Sequence, residues 1–120
     1  MKERFANRGW QPAIFHQTEY QLAKIDFIKE RVGVEIGFRH MSLIGADLLK
    51  FQVASPFALN KIDVAVYIVT TRNFQKQMKK EFHHNWSGAM SVEMVDRYLR
   101  HFNSGIHVPV YLIAVDLSLE

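Results

Sequence analysis

The chain reads as an α/β sandwich, a mixed central sheet flanked by helices, in the order hairpin, helix, strand, helix, strand. Three observations predict it. Two short apolar runs, Lys24–Ile28 and Val32–Ile36, flank the charged break Lys29-Glu30-Arg31. A run rich in β-branched residues, Ile62–Thr70, follows a helical stretch. A second helical period at Val92, Val95, Leu99 and Phe102 precedes a final apolar run. Strand and helix patterns in alternation, after one hairpin, require a mixed sheet packed against helices.

Met1–Gln17 has no clear period, and Trp10, Pro12 and Phe15 suggest an irregular lead-in packed on the core. So short a run-up reads as a truncated or minimal version of something longer. Glu19–Lys29 and Arg31–Phe38 form the hairpin. Alternation puts Leu22, Lys24, Asp26 and Ile28 on one face of its first strand. On the second strand it sets Val32, Val34 and Ile36 against Gly33, Glu35 and Gly37. Both strands are apolar on both faces near their centres, as expected of strands buried between layers. Gly33 and Gly37 are weak strand positions that leave space beside Glu35.

Ser42–Leu59 reads as a helix capped by Ser42, with Ile44, Leu48, Phe51 and Val53–Ala54 on its approximate apolar stripe and Pro56 breaking or ending it. Ile62–Thr70 is a strand. Arg72–Lys80 is a short basic helix, and His83-His84-Asn85-Trp86-Ser87-Gly88 a loop. Ser91 caps a helix running to about Phe102, which Gly105 stops. His107–Leu117 is the last strand, with Pro109 near its start, where a missing N–H is tolerated. No internal repeat or linker interrupts the chain, so residues 1–120 read as one domain.

With 120 residues, 48% of them hydrophobic, the chain is long enough for one core and too apolar for disorder. It has no cysteine, which removes disulfides, thiolate catalysis and thiolate-bound metals. Fifteen Lys and Arg against 12 Asp and Glu, with six His, permit a polyanionic partner without requiring one. No apolar run reaches membrane-spanning length and no signal-type region follows the N-terminus, so the expected location is the cytoplasm.

Asp26 and Glu35 stand inside apolar runs. Carboxylates are poorly favoured in strands and costly to bury unless paired or bound to a cation. A turn near Lys29–Arg31 places them within a residue or two of cross-strand register. Two such groups a few ångströms apart repel unless a cation lies between them, and oxygen ligands on rigid strands suit Mg2+ or Mn2+. The plainer alternative is structural: Asp26 at a strand end, and Glu35 paired with Lys24 or Arg39.

The run Lys24-Ile-Asp-Phe-Ile-Lys-Glu-Arg-Val-Gly-Val-Glu-Ile resembles the active-site hairpin of the PD-(D/E)XK nuclease superfamily, and within it the BglII-like type II restriction endonucleases. Asp47-Leu-Leu-Lys-Phe resembles the helix after that hairpin, and Lys61-Ile-Asp-Val-Ala-Val-Tyr-Ile the next core strand. Val108-Pro-Val-Tyr-Leu-Ile is similar, more distantly, to a late strand. The likeness is closest over residues 19–70. It implies a small restriction-endonuclease-like sandwich that cleaves double-stranded DNA with Mg2+, for which Mn2+ can substitute. Asp26 and Glu35 would be metal ligands and the carbonyl of Ile36 a further one. The resemblance also implies a homodimer, because two-fold protein symmetry mirrors a palindromic site.

Two departures from the family pattern stand out. Two residues after the glutamate the superfamily has Lys and the BglII-like enzymes Gln; here the position is Gly37. Glycine has no side chain to orient an attacking water or stabilise transition-state charge, a loss that costs orders of magnitude in rate. Arg39, on the face of Glu35, and Lys24, on that of Asp26, are the candidate catalytic substitutes, each with a longer reach. On this reading, restoring Lys or Gln at position 37 should raise activity. Family members are also longer, with additional N-terminal helices that help build the dimer.

Arg72, Lys76, Lys79 and Lys80 are candidates for phosphate contact, and His83, His84 and Asn85 for DNA contact in the loop that follows. Trp86 either joins them or is tucked on the core. His16 and Glu19 lie near the metal end of the hairpin or have ordinary surface roles. Asp63 is most simply a strand-start residue making local hydrogen bonds. Adjacent histidines rarely share a metal, and Ser87-Gly88 lacks the strand-turn-helix context of a nucleophilic serine. Two other functions compete with the nuclease: a weak or inactive DNA-binding remnant of the fold, favoured by Gly37, and a small interaction domain whose carboxylates are structural.

Overall fold

The computed structural model describes residues 2–14 and 24–118, apart from the side chains of residues 13 and 14. The expected roles of Phe15, His16, Glu19 and Leu22, and the first half of the Glu19–Lys29 strand, lie outside the described residues. Among the described residues five strands form one sheet in the order β1-β2-β3-β4-β5. These are β1 (Gln11–Ile14), β2 (Lys24–Lys29), β3 (Val32–Ile36), β4 (Val64–Thr70) and β5 (Val110–Val115). The first three run antiparallel, β1 on β2 and β2 on β3. β3, β4 and β5 run parallel, so the sheet is mixed as the sequence predicts.

The N-terminal segment is more regular than its sequence suggests. Lys2–Ala6 is a short helix, α1, and Gln11–Ile14 is the edge strand β1. The period is hard to read because both elements are brief and α1 buries no residue. Aromatic packing holds them: the ring of Phe5 stacks on Phe27 at 4.3 Å and meets Trp10 edge-on at 5.7 Å.

The hairpin between β2 and β3 closes through Glu30 and Arg31, both at positive φ, 49° and 65°. Two successive left-handed residues give the turn whose twist matches that of the strands, positions normally occupied by Asn or Gly. Arg31 compensates by reaching elsewhere. Its guanidinium binds both oxygens of Asp63, at 2.7 and 2.8 Å, and the carbonyl of Asn60 at 3.0 Å. Asp63 N–H returns a 2.8 Å bond to the carbonyl of Arg31. Asp63 is thus a long-range tie between the hairpin turn and the start of β4, not a local one, and it helps set the β3–β4 register.

The first long helix, α2, spans Ile44–Ala54, shorter than the 42–59 expected. Ser42 does not cap it. Ser42 sits in a single 3-10 turn, Met41–Leu43, where its N–H donates to the imidazole of His40. Ser55 leaves the helix at ψ 166° because the next residue is Pro56, whose ring disfavours a helical predecessor. Ile44, Leu48, Phe51 and Ala54 bury the apolar face against Ile25, Ile62, Ala65, Tyr67 and Val69.

α3 (Arg72–Phe82) is capped by the hydroxyl of Thr71 and α4 (Val92–His101) by that of Ser91. Met90, Val95 and Val108 complete the core. Among the described residues no helix is long and apolar enough to cross a membrane.

Candidate active site

The core of this sheet contains charge. Glu35 and Asp47 are 1% and 0% exposed and Lys50 5%. Such groups are stable inside a protein only when paired, and here they converge. Glu35 stands near the end of β3; Asp47 and Lys50 project one turn apart from α2.

The two candidate ligands interlock across the hairpin. The register Phe27↔Val34, Ile28↔Gly33, Lys29↔Val32, continued one step, sets Asp26 opposite Glu35. The Asp26 N–H donates to Glu35 Oε1 at 3.0 Å, and the Ile36 N–H donates to Asp26 Oδ2 at 3.0 Å. Each carboxylate is therefore oriented by the other strand's backbone. Asp26 as a residue is half-buried, less enclosed than Glu35.

Two cations meet at the other oxygen of Glu35. Lys50 Nζ and Arg39 Nη2 each approach Oε2 at 2.8 Å. Arg39 also binds Asp47 Oδ2 at 2.6 Å, and Lys50 Nζ lies 3.3 Å from Asp47 Oδ1. The phenol of Tyr67, wholly buried, donates to the same Asp47 and contacts Met90 Sδ at 3.0 Å. Asp47 thus positions both cations and is itself held by Tyr67. Burial pushes the Glu35 carboxyl above its ordinary value; Lys50 offsets part of this, while Asp26 and Asp47 add to it. Burial opposes the charge on Arg39, but Asp47 and Glu35 outweigh it and hold the guanidinium above its usual value. Burial, then Asp47, raises the phenol of Tyr67, which stays neutral.

Of the expected substitutes for a side chain at position 37, the structure brings Arg39 to Glu35 and leaves Lys24 apart, with no hydrogen bond or ion pair to Asp26 or Glu35. Gly37 itself is not beside an empty space. A Cβ built there would lie 2.8 Å from both Met90 Sδ and Tyr67 Cε1, and 3.2 Å from Val69 Cγ2. Asp47 and Lys50 are the site residues that sequence reasoning missed, although Asp47-Leu-Leu-Lys-Phe was in view. The available signal was two opposite charges at i and i+3 inside the stripe of Ile44, Leu48 and Phe51.

Among the described residues three carboxylates face two cations, which leaves one negative charge uncompensated there if all are ionised. Asp26 and Glu35 offer oxygen donors only, which suits a hard divalent cation; of Ile36, the N–H is the atom that meets the pair. Among the described residues no group of three or more His, Asp or Glu forms a ready metal cage. Mg2+ does not need one: it is commonly held by one or two carboxylates with waters and substrate phosphates.

Arg39 links this cluster to the surface. A groove of about 310 Å3 is lined by Arg39, His40, His84, Asn85 and Trp86. Beside it, a second of about 250 Å3 is lined by Arg72, Lys76, Lys79 and Asn85. Lys80 and His83 are exposed at the end of α3, where His83 adopts the left-handed cap at φ 53°. Trp86 holds the loop by edge contacts to Phe74 at 5.3 Å and Phe38 at 6.0 Å, which favours its packing role.

A family model described as restriction endonuclease BglII/BglIII matches residues 1–115. No curated protein matches the chain. Among solved structures, the crystal structure of restriction endonuclease BglII complexed with a DNA 16-mer matches with a TM-score of 0.78 at 16% identity. The match covers 99% of this chain and 53% of that one, so the chain spans about half the length of this relative. At that identity the likeness is one of fold, and the five-stranded mixed sheet with its helices is that fold. The match over nearly the whole length places the chain in the restriction endonuclease BglII/BglIII family.

Proposed function

We propose that the chain is a Mg2+-dependent endonuclease of the PD-(D/E)XK type that hydrolyses phosphodiester bonds of double-stranded DNA, like a type II restriction enzyme. Residues 1–120 form one nuclease domain, which acts as a homodimer. The observation that carries this reading is the interlocked pair Asp26 and Glu35, tied through Arg39 to a surface groove that Arg39 lines with His40 and His84. Asp26, Glu35 and the carbonyl of Ile36 would hold the metal, which would supply polarisation of the phosphate and a lowered pKa of water.

The remaining residues position the substrate. Arg72, Lys76, Lys79 and Lys80 neutralise backbone phosphates, which sets the path of the duplex along α3. His84 and Asn85 line the groove beside Arg39, and together with the neighbouring His83 they would contact the duplex there. Arg39, 31% exposed on its side chain, bridges the cluster and that groove and faces the scissile phosphate.

The test is plasmid cleavage with Mg2+ or Mn2+ beside an Asp26→Ala control. Cutting by the native chain alone is expected; equal cutting by both refutes the assignment. A second reading, a DNA-binding remnant without catalysis, is favoured by the occupancy of Glu35 Oε2 by Lys50 and Arg39. Salt-dependent duplex binding without cutting would select it.

A further inference from the structure

Position 37 lacks a side chain, yet the ground beside Glu35 is full. Tyr67 and Met90 occupy the volume a side chain at 37 would need. Tyr67 pairs with Glu35 across the parallel β3–β4 ladder, and its hydroxyl ends on Asp47. Asp47 in turn contacts Lys50, three residues further along α2. Gly37, Tyr67, Asp47 and Lys50 therefore form one connected arrangement: the strand gives up a side chain, and a helix supplies a cation to the same carboxylate.

We propose that Lys50 is the catalytic cation that a hairpin residue would otherwise provide; this rests on the nuclease reading above. Its ammonium has three N–H donors. One is directed to Glu35 Oε2 at 2.8 Å; the ammonium also lies 3.3 Å from Asp47 Oδ1 without a hydrogen bond to it, which leaves donor capacity for an oxygen of the reacting centre. The side chain is 5% exposed and its stem is fixed in the core, so its donor is preorganised, the condition under which a single hydrogen bond contributes most. Arg39 meets the same Glu35 oxygen but is six-fold more exposed and opens onto the groove, which suits it to substrate phosphate. In the step itself the oxygen of the attacking water bonds to phosphorus and the bridging P–O bond breaks. The water's proton passes to solvent, and the leaving oxygen takes one up. Lys50 orients that water and donates to the negative charge that develops on the phosphate.

The absence of cysteine allows a direct test. Lys50→Cys introduces a unique thiol, and aminoethylation of the unfolded chain, followed by refolding, restores an amine of nearly the same length. Lys50→Cys should lower Mg2+-dependent plasmid cleavage by about 10²–10³-fold, and aminoethylation should recover most of it. Affinity for duplex DNA with Ca2+ in place of Mg2+ should change by no more than about threefold, because phosphate contacts elsewhere dominate binding. If Lys50→Cys does not refold, Lys50→Gln takes its place and should show the same loss in cleavage at near-native affinity. Native-like cutting by either variant overturns the role of Lys50. So does aminoethylated protein that melts like the native chain but does not cut, or a parallel fall in binding and cleavage. Loss of cutting in Asp26→Ala with native cutting in Lys50→Cys overturns the Lys50 assignment alone. A native chain that binds duplex with Mg2+ and never cuts overturns the nuclease reading together with it.

Discussion

Substituting Gly37→Ala tests whether the place of the missing side chain is filled. The new Cβ would stand 2.8 Å from Met90 Sδ and from Tyr67 Cε1, closer than real Cβ contacts, and 3.2 Å from Val69 Cγ2. Tyr67 has little room to yield. It is wholly buried, its hydroxyl is bound to Asp47, and its ring meets Phe51 edge-on at 5.6 Å. Met90 is also fully buried, though its side chain is flexible. Overpacking of this kind costs about 1–3 kcal/mol. In a chain of this size that lowers the melting midpoint by roughly 3–15 °C. Gly45→Ala is the control: nothing lies within 4 Å of its Cβ and it is inside α2, so stability should rise by up to about 1 kcal/mol. Urea unfolding followed by circular dichroism reads both, with an unchanged m-value marking a genuine stability effect. A Gly37→Ala chain as stable as the native one would refute the packing account. By the same reasoning Gly37→Lys or Gly37→Gln should lose stability without gaining cleavage, the reverse of what sequence alone suggests.

Three further outcomes are expected. Because burial raises the Glu35 carboxyl, metal-dependent cutting should increase as pH rises through that elevated value, with its half-point above the ordinary glutamate value of about 4.3. The sign for stability is opposite: a raised folded-state pKa stabilises at low pH, and that contribution is lost as pH rises through it. Metal-free protein melted from pH 4 upward should show that loss, and Glu35→Gln should abolish it; a loss that survives the substitution would assign it to another group. Glu30→Asn places a residue tolerant of left-handed backbone at φ 49° and should stabilise the hairpin by about 1 kcal/mol in denaturant melts, a decrease counting against the turn geometry. Replacing Lys76 and Lys79 together by Ala should reduce the slope of log affinity for duplex DNA against log salt by about two, and an unchanged slope would remove them from the phosphate path.

Much of this molecule is legible in its amino-acid order because local patterns carry it. Period-two apolar runs and a charged break define β2 and β3, and β-branched residues define β4. Ser91 starts α4. Asp26 and Glu35 are noticeable because charge is costly in such strands. Their opposition across the hairpin follows from a turn at Glu30 and Arg31. The boundaries are less legible where a neighbour decides them: Pro56 truncates α2 five residues early, and a 3-10 turn capped by His40 takes up Ser42, so that α2 begins after Leu43 without a side-chain cap. The helix α1 and strand β1 depend on the stacking of Phe5 on Phe27 and on pairing with β2, interactions too distant for a local pattern to reveal.

What the sequence alone determined is the α/β order and the carboxylate pair of the hairpin. The occupants of the remaining space at that pair were decided only in three dimensions. Gly37 looks like a vacancy in one dimension, but parallel pairing of β3 with β4 brings Tyr67 alongside Glu35, and packing of α2 adds Asp47 and Lys50. The physical reason is that burial makes a lone carboxylate untenable, while the identity of its partners depends on which elements close over it. Here that element is a helix whose apolar stripe hides two charges.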